Sequence, residues 1–215
     1  MSIRIIELGV VPFHEADVSS PDLTEVEPLL CRIVALLEQL FGPGHSRVAD
    51  VLSDLAKSLE ATNRLQEAEL LWRHVLSIAE QNCEKDPLAL AVALTSLGRI
   101  LQTTNQTEEA EGSLRRALAV CEQSLRPEHP DVALCLNNLA QLLQATKREA
   151  EGKPLYERAV TILNALSCEG WLHEDFRDVR LNYASLLRQM GVGVERIWDE
   201  LERIAPEAYR SEEPE

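Results

Sequence analysis

At 215 residues, 45% of them hydrophobic, the chain is long enough and apolar enough to fold as one domain. Its formal charge of -15 repels a phosphate backbone and an anionic lipid surface, and no Lys/Arg run exceeds two residues, which argues against nucleic-acid and membrane partners. Nine glycines and ten prolines are too few for a low-complexity or disordered chain.

In chain order, residues 1–24 stand apart as an N-terminal arm. Ile3, Ile5, Ile6, Val10 and Val11 suggest an extended segment or short strand, broken at Pro12 and at Ser19-Ser20-Pro21-Asp22. Helices are predicted at 25–41, 46–61, 65–82, 86–103, 107–124, 130–145, 149–167, 175–190 and 194–204, each with apolar residues three and four apart. Gly42-Pro43-Gly44 ends the first, Pro130 suits a first turn, and Gly191 to Gly193 separates the last pair. Residues 206–215 read as an acidic, disordered tail.

The helices repeat. Leu55, Leu97 and Leu139 are 42 residues apart, as are Leu59, Leu101 and Leu143, and Thr62, Thr104 and Thr146. A period of this size is the signature of a solenoid. One position holds Trp72, Leu114 and Tyr156, and three residues later stand the smaller Val75, Ala117 and Ala159. This large-then-small pattern is read as core packing, with Leu55-Ala56, Leu97-Gly98 and Leu139-Ala140 letting backbones approach. Thr62-Asn63, Thr104-Asn105 and Thr146-Lys147 open tight turns inside each unit and suit capping of the following helix. The last unit carries two extra residues in a loop within 166–174.

Cysteines stand at 31, 83, 121, 135 and 168, an odd count without a close pair, so neither a disulfide scaffold nor a CxxC metal site is expected. Cys31, Cys121 and Cys135 fall in apolar helix patterns and read as small core residues. No 18-residue apolar run is present, and the start lacks a signal peptide's apolar block, so cytoplasmic residence is expected.

No HExxH, nucleophile elbow or phosphate loop occurs, and the recurring His45, His129 and His173 sit where helices begin, where capping or packing is their expected role. Neither catalysis nor a metal or other cofactor is expected.

Asn137-Asn138-Leu139-Ala140-Gln141-Leu142-Leu143, Glu151-Gly152-Lys153-Pro154-Leu155-Tyr156-Glu157-Arg158-Ala159-Val160 and His129-Pro130-Asp131-Val132-Ala133 resemble tetratricopeptide repeats of the long-helix, kinesin-light-chain type. The resemblance covers about residues 25–205. It departs from the 34-residue form in its longer period and in lacking the helix-ending proline, whose place is taken by Glu80, Glu122 and Asn164. It implies an all-α, right-handed superhelical solenoid of antiparallel helix pairs, whose first helices line a concave face that receives a peptide or partner protein. Carried over, the lining residues are Asp50, Ser53, Asp54 and Lys57, then Val92, Thr95, Ser96 and Arg99, then Leu134, Asn137, Asn138 and Gln141, and last Asp178, Asn182 and Arg188. Asn137 and Asn138 suit either a peptide backbone or bonds between helices. Lys57 and Ser53 stand where a carboxylate-gripping clamp would have Asn and Lys, so a chaperone-tail receptor is not implied. The resemblance thus implies an adaptor. The alternatives are a structural, oligomerising or regulatory module whose groove holds its own or a neighbour's arm and, remotely, an enzyme with an unrecognised site.

Overall fold

The computed structural model describes residues 23–168 and 175–204. The elements there are α1 (Leu23–Phe41), α2 (Ser46–Ala61), α3 (Leu65–Gln81), α4 (Pro87–Thr103), α5 (Thr107–Ser124), α6 (Pro130–Ala145), α7 (Glu149–Cys168), α8 (Asp175–Gln189) and α9 (Val194–Ile204). Residues 1–22 of the arm, with any oligomer it would build, the tail, His14 and His173 lie outside the described residues, and residues 23 and 24 open α1.

Each helix packs against the next, and α6 also touches α4 and α8, giving a solenoid of antiparallel pairs. Among the helices from α2 onward, α2, α4, α6 and α8 form one layer, and α3, α5, α7 and α9 the other. The core runs between them. Trp72, Leu114 and Tyr156 are each almost fully buried at equivalent places, and Val75, Ala117 and Ala159 are buried beside them. Each large side chain removed from water contributes about 1.5–3 kcal/mol. The middle pair is drawn close. A Cβ added to Gly98 would stand 2.7 Å from Leu114 Cγ. Tyr156 and Tyr183 have their phenols pushed above the ordinary tyrosine range by burial, and for Tyr183 also by Glu157 and Glu200.

Helix starts obey local chemistry. Asp86 accepts from the Ala89 amide at 3.0 Å, and Pro87 and Pro130 occupy the first helical turn, where no amide donor is needed. His45 and His129 cap α2 and α6, their Nδ1 atoms accepting from the Arg47 and Asp131 amides at 3.2 Å each. The turns within units correct the capping expectation. The Thr-Asn pairs close the preceding helix. Thr62, Thr104 and Thr146 donate back to carbonyls of their own helices, and Asn63, Asn105 and Lys147 take φ of 59°, 64° and 60°. The next amides, of Arg64, Gln106 and Arg148, donate to Leu59, Leu101 and Leu143 at 2.9, 2.8 and 2.8 Å. A left-handed residue followed by this long return bond is the Schellman close of a helix end. The helices that follow have Arg64 and Gln106 at their caps, with no side-chain cap bond.

Arginines link successive helices of the outer layer. Arg73 donates to Glu109 at 2.6 Å, Arg116 to Glu80 at 2.6 Å, and Arg158 to Glu122. Each spans 36 residues; Arg116 to Glu80 and Arg158 to Glu122 are one contact repeated at the α3–α5 and α5–α7 junctions, and Arg73 to Glu109 is a second contact at the first of these. Such half-exposed pairs contribute about 0–1 kcal/mol apiece. At the far end α9 buries Ile197 and Leu201, and Glu200 meets Lys153 at 3.4 Å and Arg203 at 3.1 Å.

Candidate binding groove

A helix that buries one stripe turns the opposite stripe outward. In α4, α6 and α8 the buried stripe faces the outer layer, so the remaining faces lie side by side. They bound an open cavity of about 520 Å³. Val92, Thr95, Ser96 and Arg99 come from α4, Leu134, Asn137, Asn138 and Gln141 from α6, and Asp178 and Asn182 from α8. Ten of the candidate residues are therefore brought together.

The other five are not. Asp50, Ser53, Asp54 and Lys57 belong to α2 and line no part of this cavity, and neither does Arg188. Ser53 Oγ donates to its own helix at Ala49 O, 2.8 Å, and Lys57 pairs with Asp54 at 3.5 Å in solvent. The reason is positional: α4 and α8 flank α6 on both sides, whereas α2 stands at the edge of the described inner layer.

Two lining groups are tied internally. Asn182 Nδ2 donates to Asn137 Oδ1 at 3.1 Å, and Asn137 is only 8% exposed. Asn137 is thus a strut between α6 and α8. Arg99 Nη2 reaches Glu60 Oε2 at 3.5 Å, with 57% of its side chain exposed. Glu60 also accepts from Trp72 Nε1 at 2.7 Å, which holds it in place. The guanidinium keeps further donors directed at solvent.

Sequence reasoning missed the floor and one end. Leu88, Ala91, Val179 and Leu181 add apolar surface, Asp131 adds a carboxylate, and Cys121 and Cys135 lie at the bottom. Asp131 has Ala89 at its place one repeat earlier, and Cys121 belongs to the outer-layer helix α5; only the packed register places them here. The helices of the inner layer run the same way, so Asp131 and Asp178, near their starts, mark one end. Arg99 and Gln141, further along, mark the other. Between them Val92, Leu134 and Leu181 offer apolar contact. The arrangement can seat one apolar side chain while amides and a guanidinium meet backbone or carboxylate groups.

No group of three or more His, Cys, Asp or Glu that could hold a metal ion occurs among the described residues. No helix among them is long and apolar enough to cross a membrane.

The tetratricopeptide-repeat profile matches residues 48–87 and, in a second form, residues 89–165, together more than half of the chain. No curated protein matches. Among solved structures, the chain is similar to a candidate kinesin light chain from Podosopora anserina with nearly identical TPR-like repeats. Identity is 21% and the TM-score 0.67, over 89% of this chain and 90% of that one. A single-substitution form of the same protein gives 21% and 0.68, over 88% of each chain. BtubC (BKLC) from P. vanneervenii gives 18% and 0.56, over 91% of this chain and 95% of that one. At these identities the likeness is one of fold.

Proposed function

The chain belongs to the tetratricopeptide-repeat family, and from that premise we propose that it is a non-enzymatic adaptor holding an extended peptide segment across α4, α6 and α8. The carrying observation is the convergence of three helices on one open cavity with an apolar floor and a polar rim. A segment lying across it would place an apolar side chain above Cys135. Its backbone would meet Asn138 and Gln141, and a carboxylate would meet Arg99. The partner is a protein, and the free thiols suit the reducing cytoplasm, which is our proposed location.

A display library of random peptides tests this. The intact protein is expected to enrich a set of peptides. A variant carrying Arg99→Ala, Asn138→Ala and Gln141→Ala loses three polar contacts worth about 1 kcal/mol each. It should bind that set on the order of 100-fold more weakly. A Lys57→Ala/Asp54→Ala variant should bind as the intact protein does. Equal enrichment by the groove variant and the intact protein would overturn the assignment.

A further inference from the structure

Cys121, near the end of α5, and Cys135, in the second turn of α6, face each other with 3.4 Å between their Sγ atoms. Both are buried in the packed junction, yet both line the groove cavity. Thr95 Oγ1 stands 3.9 Å from Cys135 Sγ on the same floor. The equivalent positions of the preceding junction hold Ala79 and Ala93, and those of the following junction hold Leu163 and Val179. Stacking there needs apolar bulk of varied size, and sulfur is not required. Only the junction under the groove pairs two thiols among the described residues.

We propose that Cys121 and Cys135 form a reversible modification site, joined as a disulfide across the α5–α6 junction by a peroxide-class oxidant that enters through the groove. The hydrogen bond from the Cys135 thiol lowers the Cys121 thiol below its ordinary value, while giving that bond, together with burial, raises Cys135. With Cys121 as the first nucleophile, the Cys135 sulfur stands 3.4 Å away to resolve the product. The Cys121 sulfur attacks one peroxide oxygen and the O–O bond breaks. The departing hydroxide takes up the Cys121 proton as water, leaving a sulfenic acid on Cys121. The Cys135 sulfur then attacks the Cys121 sulfur, and the S–O bond breaks. The hydroxide released takes the Cys135 proton. Two thiols and one hydrogen peroxide become one disulfide and two waters.

The sulfurs must close from 3.4 Å to about 2.05 Å, a movement within reach of side-chain rotation and a small helix shift. The bridge fastens two successive repeats directly below Leu134 and Thr95, and so alters the floor that a bound segment meets. That effect on binding rests on the groove reading; the cross-link itself does not.

The test treats the full chain with hydrogen peroxide alone, alkylates the remaining thiols, and follows intact mass and a non-reducing peptide map. The expected result is loss of two hydrogen masses and one linked peptide pair joining Cys121 to Cys135, reversed by dithiothreitol. Cys121→Ala and Cys135→Ala, which install the residue found one repeat earlier, should each abolish the linked pair. The map of the unsubstituted protein decides the matter even if a variant folds poorly. Absence of a linked pair, linkage instead to Cys31, Cys83 or Cys168, or oxidation to sulfinic acid without linkage would each overturn the proposal and leave the groove assignment standing.

Discussion

Replacing Gly98 by Ala tests how tightly the middle hairpin is fitted. The new Cβ would lie 2.7 Å from Leu114 Cγ and 2.8 Å from Cδ2, and 3.4 Å from the Ala110 carbonyl. Carbon atoms rest comfortably at about 3.5–4.0 Å, so the overlap is close to 1 Å. Leu114 is almost fully buried and has little room to retreat. Overpacking of this kind costs about 1–3 kcal/mol. Against it, Ala in a helix interior gains about 1 kcal/mol over Gly. The net expectation is destabilisation of up to about 2 kcal/mol. Leu114→Ala alone should cost about 2–5 kcal/mol through lost burial and the cavity left behind. In that background the clash is gone, and Gly98→Ala should stabilise by about 1 kcal/mol. The sign therefore reverses, with a coupling between the two positions of about 1–3 kcal/mol. Urea unfolding of the four proteins measures it, provided the slope stays constant across the set. If Gly98→Ala stabilises both backgrounds by the same amount, Leu114 does not press on Gly98 and the packing argument fails.

The other expectations concern turns, titration and the outer ion pairs. Lys147 holds φ of 60°, which a side chain disfavours, so Lys147→Gly should stabilise by up to about 1 kcal/mol. The gain should exceed that of Asn105→Gly, because Asn tolerates this region better. Thermal unfolding that shows no such ranking would contradict it. The raised phenols of Tyr156 and Tyr183 bind their protons more tightly when folded, so their contribution is complete below about pH 10 and is lost as pH rises through the folded values. The slope is up to about 1.4 kcal/mol per pH unit for each tyrosine. Denaturation followed from pH 9 upward should show a flatter decline for Tyr156→Phe/Tyr183→Phe, and parallel curves would refute it. His74 occupies the position that Arg116 and Arg158 hold in later repeats, and Glu38 that of Glu80 and Glu122. His74→Arg should add about 0.5 kcal/mol through a fourth outer pair, a gain removed in 1 M salt. An equal gain at both ionic strengths would assign it to something other than charge.

What could be read from the chain and what could not divide along physical lines. The common depth of Trp72, Leu114 and Tyr156 was legible because a fixed period places equivalent side chains at equivalent levels. Helix limits were legible at Pro130, Gly42 and Gly191, whose backbone preferences leave few choices. The Thr-Asn turns were located, but their helix was misassigned. Thr and Asn suit both a helix start and a helix end, and the sign of φ at the second residue decides. The resemblance to tetratricopeptide repeats supplied the inner faces of α4, α6 and α8 as the expected lining. It could not show that α2 stands apart from the cavity, because that depends on how many neighbours each helix has. Nor could a separation of 14 residues announce the Cys121–Cys135 meeting, which exists only once α5 and α6 lie against each other.

The shortest arginine rungs lie on the outer side of the array, and the inner layer has Arg99 to Glu60 at a longer 3.5 Å. Between α6 and α8 the polar contacts are uncharged, Asn182 with Asn137 and Gln144 with Ser185. Added electrolyte weakens charged contacts and leaves neutral ones nearly intact. The two sides of the strip therefore respond unequally. Rising ionic strength is expected to loosen the outer side first, much as one layer of a bimetal band yields before the other.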